Sequence, residues 1–333
     1  IEAALRNDGD VGPKKLISNA YAPQLCINYI NYLLDIQNFN IKGESIDSTS
    51  EETIETEVET IDNDILEFMK GKLSPFILPI KNFVILNHEE ICPQLLSGLK
   101  EKQDELISSL ETSSDDVVVN EGQLAFFVEI ATAVLLIKKM GSKNDPRIKF
   151  HPDFFAFLIS LCHLSKEWAA NGILFPRLEM SLIVFISNFK NTLFGCNDAN
   201  LYKQLKRKRV FPSFEECQYY LFDRIIATLQ FYNEHSILSQ SLSIIHNKDN
   251  KIIPSLKTLD MIFGLPFDQS FPFINIYENI VLRSRFYSAI FSIIKNLNDA
   301  DFAKFINLLF KMINMKFELV DLESILENDE TKK

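Results

Sequence analysis

Apolar residues in this chain recur at the three- and four-residue spacing of a helix face, and no other feature limits its possible folds as strongly. Phe302, Phe305, Ile306, Leu309 and Ile313 form one such stripe, and Leu178, Leu182, Phe185, Ile186, Phe189 and Leu193 form another. No segment reads as a strand block alternating with helices, which argues against a parallel α/β sheet. The composition agrees: 47 % of the 333 residues are hydrophobic, with only 10 Gly and 12 Pro. Such a chain is too apolar to stay disordered and too poor in Gly and Pro to be fibrous.

The spacing predicts helices near 15–37, 62–71, 88–111, 118–140, 152–169, 175–194, 213–233, 236–246, 254–263, 277–296, 300–315 and 319–327. Start signals support several of them. Ser213-Phe214-Glu215-Glu216 after Pro212 is a capping box, in which hydroxyl and carboxylate serve orphan amides at a helix start, and Asn87 with Glu90 is similar. Breaks fall at Gly141 to Pro146, Asn171-Gly172, Gly195 to Asp198 and Gly264-Leu265-Pro266. The helices pair as 88–111 with 118–140, 152–169 with 175–194, and 277–296 with 300–315. Pairs about 40 residues long are the signature of HEAT- or armadillo-like repeats. The expected fold is therefore all-α, an α-α superhelix of HEAT-like repeats. No consensus recurs from unit to unit, so an irregular solenoid and a large helical bundle both remain open, with the solenoid preferred.

Charge divides the chain further. The formal net charge is −11, but ten of the 45 acids lie between Gly43 and Met69, where there is no Lys or Arg. The remainder carries 35 acids against 34 bases and is almost neutral. Within this stretch Thr53 to Ile61 alternates Glu with Thr and aliphatic residues, which are weak helix formers. The organisation expected is helical repeat over 1–42, an acidic exposed loop over 43–61, and continuous HEAT-like repeats over 62–333. Glu51, Glu52, Glu55, Glu57 and Glu59 are candidate contacts for a basic partner surface; the plainer reading is a solvated linker.

One basic cluster stands against this acidity: Lys203, Lys206, Arg207, Lys208 and Arg209. Its plainer reading is a helix C-terminus, where cations complement the dipole, ending at Val210 to Pro212. As a functional surface it would favour an acidic protein over nucleic acid, because no aromatic stacking platform or second basic patch accompanies it.

The common catalytic and phosphate-binding motifs are absent from the sequence. The chain has no glycine-rich phosphate loop, no H-E-x-x-H and no G-x-S-x-G. Asp115-Asp116 precedes Val117-Val118-Val119 and reads as a helix cap rather than a metal site. His88 and Cys92, four apart, share a helix face as half a metal site, but no second ligand pair follows at a plausible spacing. The remaining histidines, His151, His163, His235 and His246, are isolated and read as structural or solvent-facing. Cys26, Cys92, Cys162, Cys196 and Cys217 are odd in number and irregularly spaced, which argues against a disulfide framework and for a reducing compartment. No catalytic residue, metal or cofactor is indicated. The longest apolar stretch, Leu124 to Ile137, is interrupted by Glu129 and Thr132 and is too short to span a bilayer. The start of the chain has neither the basic nor the apolar region of a signal peptide and reads as the middle of something larger.

Four segments resemble a known family in collinear order. They are Val119-Asn120-Glu121-Gly122-Gln123-Leu124-Ala125-Phe126-Phe127 and onward to Val134; Arg177-Leu178-Glu179-Met180-Ser181-Leu182 through Phe185 and Phe189; Leu201-Tyr202-Lys203-Gln204-Leu205; and Leu282-Arg283-Ser284-Arg285-Phe286-Tyr287-Ser288-Ala289-Ile290. Together they resemble the middle of the exportin-seven (Ran-binding-protein-sixteen) branch of the importin-β, or karyopherin, superfamily. The likeness covers roughly 115–300. Phe126 stands where that family has Trp, and Leu136 and Ile137 stand where it has glycines. The resemblance implies stacked HEAT repeats in a non-enzymatic nuclear transport receptor, of which this chain is a central fragment. It also implies binding of Ran in its GTP form together with protein cargo, contacts with nucleoporins, and shuttling between nucleus and cytoplasm. GTP would belong to the partner, with no nucleic acid and no membrane involved. The competing expectation is a helical scaffold subunit of a nuclear-pore or trafficking complex without GTPase dependence.

Overall fold

The computed structural model describes residues 13–44, 77–112, 114, 116–137, 150–190, 203, 205–208, 210–211, 213–246, 256–264, 271–276, 279–295 and 297–319. The acidic stretch beyond Glu44, the expected helix at 62–71, the helix beyond Leu319, and Cys196 lie outside the described residues. All regular structure among the described residues is helical. The chain divides into two compact units, Ile1–Phe211 and Pro212–Lys333.

The first unit holds α1 (Pro13–Glu44), α2 (Ile77–Leu86), α3 (His88–Glu111), α4 (Val117–Leu135), α5 (His151–Ala170) and α6 (Pro176–Lys190). Periodicity explains most of them. On α1 the buried side chains are Ala22, Cys26, Ile30, Leu33 and Leu34, one stripe at helical spacing. On α3 Ile91, Cys92, Leu95, Leu99 and Leu106 make another, and Asn87 caps the helix by accepting from the Glu90 amide at 3.3 Å. The helix α2 was not expected. Its sequence, Ile77-Leu78-Pro79-Ile80, is a short continuous apolar run, which periodicity cannot assign to helix or strand. Pro79 falls in the first turn, where its missing N–H would have had no partner within the helix.

Helix α4 is the centre of this unit and packs against α1, α2, α3, α5 and α6. A helix surrounded in this way must be apolar on every side. Leu124, Ala125, Val128, Ile130, Ala131, Ala133 and Val134 are all buried, and Thr132 spends its hydroxyl on the Val128 carbonyl at 2.8 Å. By length and composition α4 could cross a membrane; its burial in the unit accounts for that apolarity. Each fully buried Leu, Ile or Phe stabilises by about 1.5–3 kcal/mol. The fit between α3 and α4 is tight at Gly98, where an added Cβ would lie 2.7 Å from Phe127 Cε1.

The α5–α6 pair is joined by Asn171 to Phe175, as the Asn171-Gly172 break foretold. Gly172, at φ +80°, ends α5 in a Schellman motif: its amide donates to Ala169 O, and the Ile173 amide donates to Trp168 O at 2.9 Å. Phe155, Phe185 and Phe189 then pack α5 on α6, with ring centroids 4.9 Å apart for Phe155 and Phe189, and Phe211 adds to Phe189 at 6.1 Å.

The second unit holds α7 (Phe214–Phe231), α8 (His235–His246), α9 (Leu256–Gly264), a 3₁₀ turn (Pro272–Ile274), α10 (Ile280–Ile294) and α11 (Asp299–Leu319). Ser213 caps α7 as expected, accepting from the Glu216 amide at 3.1 Å. A box not foreseen starts α11: Asn298 Oδ1 accepts from the Asp301 amide at 3.0 Å and its Nδ2 donates to the Asp301 carboxylate at 2.8 Å. Phe271 and Phe273 of the 3₁₀ turn close on Phe286 of α10 at 5.1 and 5.7 Å.

Two glycine substitutions separate packing from backbone strain. Gly98→Ala forces Phe127 to move and should destabilise the first unit by about 1–3 kcal/mol, and Phe127→Leu in the same chain should restore part of the loss. Gly172→Ala meets no atom within 4 Å. It should cost about 1–2 kcal/mol through its left-handed backbone alone, with no rescue by Phe127→Leu. Urea unfolding of the four variants distinguishes the two causes.

Candidate partner-binding surface

Two of the segments singled out in the sequence meet in the first unit. Helix α6 begins with Pro176, whose ring suits the first helical position, and is preceded by Phe175, whose side chain offers no acceptor to the amides that follow. The acceptor comes from α4 instead. Glu121 Oε1 accepts from the Arg177 amide at 2.8 Å and the Leu178 amide at 3.3 Å, across 56 residues of chain. A carboxylate there satisfies orphan donors and also complements the positive end of the α6 dipole. The residue is buried, so these are bonds in a medium of low dielectric.

Two turns along the same seam, Glu129 accepts from Ser181 Oγ of α6 at 3.2 Å. Burial pushes its pKa up to about 7, against the hydrogen bond from Ser181, which lowers it. Glu179 of α6, fully buried, accepts from Ser165 Oγ of α5 at 3.1 Å. Glu121 of the first segment and Glu179 and Ser181 of the second thus hold α4, α5 and α6 together. Sequence reading placed both segments on helices but did not show that they touch.

The later Arg-aromatic segment plays a matching part in the second unit. Arg283 donates to the Ile274 carbonyl at 3.4 Å, Arg285 donates to Ser239 Oγ of α8 at 2.6 Å, and Phe286 fills the site between Phe271 and Phe273. The segment therefore fastens α10 to the 3₁₀ turn and to α8. Arg224 of α7, which the sequence did not single out, is wholly buried and donates to Thr228 Oγ1 at 2.9 Å.

The basic cluster lies at the end of a helical turn. Lys203, Lys206, Arg207 and Lys208 are exposed, Leu205 is buried, and the Val210 amide closes the turn on the Leu205 carbonyl at 3.0 Å. This agrees with a helix C-terminus. Lys208 pairs with Asp153 at the start of α5 at 2.6 Å, both about 40 % exposed, a contact worth at most about 1 kcal/mol. The side chain of Arg209, and Glu51, Glu52, Glu55, Glu57 and Glu59, lie outside the described residues.

The remaining polar candidates are structural. Asp116 occupies the α4 N-cap, as expected of a helix cap, though its carboxylate accepts none of the helix amides. Its backbone has helical angles, and Ser114 Oγ accepts from the Asp116 amide at 3.2 Å instead. Among the described residues no three His, Cys, Asp or Glu side chains are grouped to hold a metal. Cys26 and Cys92 are buried thiols, and burial pushes both up to about 12. His151 is buried at the start of α5, whereas His163 and His235 are exposed. A shallow groove of about 720 Å³ runs along α3 to the first turn of α4, lined by Ser97, Lys100, Glu101, Asp104, Ser108 and Asp116 among others.

A family model described as Exportin-7-like, TPR domain, matches residues 70–281. The chain belongs to the exportin-7-like family. No curated protein and no solved structure matches it. The exportin-7-like match spans α2 to α9 and contains the whole Glu121–Arg177 seam. It starts well before the roughly 115–300 over which the sequence showed its resemblance and stops as the Arg-aromatic segment begins. The family description names TPR repeats where the periodicity suggested HEAT-like ones; both are helix pairs stacked into an α-α superhelix. Membership places the chain among nuclear transport receptors, a helical-repeat family that is non-enzymatic in general.

Two substitutions test the seam. Glu121→Ala leaves two amides at the α6 start without their acceptor and should cost about 1–3 kcal/mol of stability by urea unfolding; Glu121→Gln, which keeps an acceptor but loses the charge, should cost less. For Glu129 the folded pKa is raised above that of the unfolded chain. Stability linked to it is therefore complete below the unfolded carboxylate range and is lost as pH rises through about 7. Glu129→Gln should match the parent near pH 4.5 and exceed it by up to about 3 kcal/mol above pH 7. Paired melting curves at acid and alkaline pH read the difference, and a parent chain that gains on the variant as pH rises contradicts the assignment.

Proposed function

We propose that this chain is a segment of an export-type nuclear transport receptor that binds Ran in its GTP form together with protein cargo. The family match over residues 70–281 carries the reading. The buried side chains named above support it, because they serve packing and helix capping and leave recognition to the exposed surface of the helices.

The mechanism is coupled binding. Ran-GTP and cargo each favour the same arrangement of the repeats, so each raises the other's affinity by the same factor. Stacked helix pairs suit this, since each repeat touches only its neighbours and small rotations accumulate along the stack. The acidic stretch 43–61, with Glu51, Glu52, Glu55, Glu57 and Glu59, contacts a basic surface of Ran or cargo. Lys203, Lys206, Arg207 and Arg209 contact an acidic one, with Lys208 shared between that surface and Asp153. Passage between nucleus and cytoplasm would involve brief contacts with nucleoporins. No cofactor, catalytic residue, nucleic acid or membrane enters the proposal.

Retention of the chain on immobilised Ran tests the reading: binding to Ran locked with GTP and little to Ran with GDP is the expected result. Equal retention on both, or on neither, overturns it and favours a scaffold without GTPase dependence. Deleting 43–61 should weaken Ran-GTP or cargo binding at ~50 mM salt and less so at ~150 mM, because exposed charges are screened beyond about 8–10 Å. Unchanged affinity at both salts removes the acidic stretch from the interface. Arg207→Glu with Arg209→Glu should weaken binding without lowering the melting temperature; intact binding would leave the cluster as helix-end chemistry.

A further inference from the structure

We draw no further inference here: the strongest candidate, the open polar groove along α3 and the first turn of α4, is a cluster of acidic side chains (Glu101, Asp104, Glu105 and Asp116) at which no second observation points to a ligand.

Discussion

The first unit depends on a carboxylate that caps a helix other than its own. Helix α6 starts at Phe175-Pro176, a sequence that directs the chain into a helix but provides no side chain to receive its first amides. An unsatisfied amide costs most where water is scarce, and this helix start is half-buried, with Phe175 and Leu178 buried beside Pro176 and Arg177. Glu121 removes that cost from across the unit, so α6 reaches full stability only where α4 holds it. The arrangement makes local structure conditional on tertiary structure.

The same constraint accounts for the make-up of α4. Beyond its first turn, where Val118 is exposed, a helix packed against five others has little face left for solvent, and buried polar residues need partners there. Glu121 meets the α6 amides, Glu129 meets Ser181, and Thr132 turns back on its own helix. Glu129 is the weakest of these solutions, since a single hydroxyl does not offset the loss of water around a carboxylate. The second unit solves its own problem with arginines, whose long stems reach the Ile274 carbonyl and Ser239, while Phe286 packs against Phe271 and Phe273.

These observations change the meaning of the family-like segments. Within them Glu121, Ser181, Arg283, Arg285 and Phe286 tie neighbouring elements together.

Read from the amino acids alone, helical class, most helix positions, the Asn87 and Ser213 caps and the Gly172 stop were all legible, because each rests on residues within a few positions of one another. Family resemblance was legible too, since it depends only on order and spacing. Helix α2 was missed because its opening run Ile77-Leu78-Pro79-Ile80 reads equally as strand, although Ile77, Ile80 and Val84 are buried at helical spacing. Asp116 stands at the α4 N-cap as its place before Val117 suggested, although its carboxylate takes no helix amide. What only the tertiary structure decided is which distant groups meet: Glu121 with the α6 amides, Glu129 with Ser181, Gly98 with Phe127 and Arg285 with Ser239. Those pairings depend on how helices lie in space, and neither spacing nor composition carries that information.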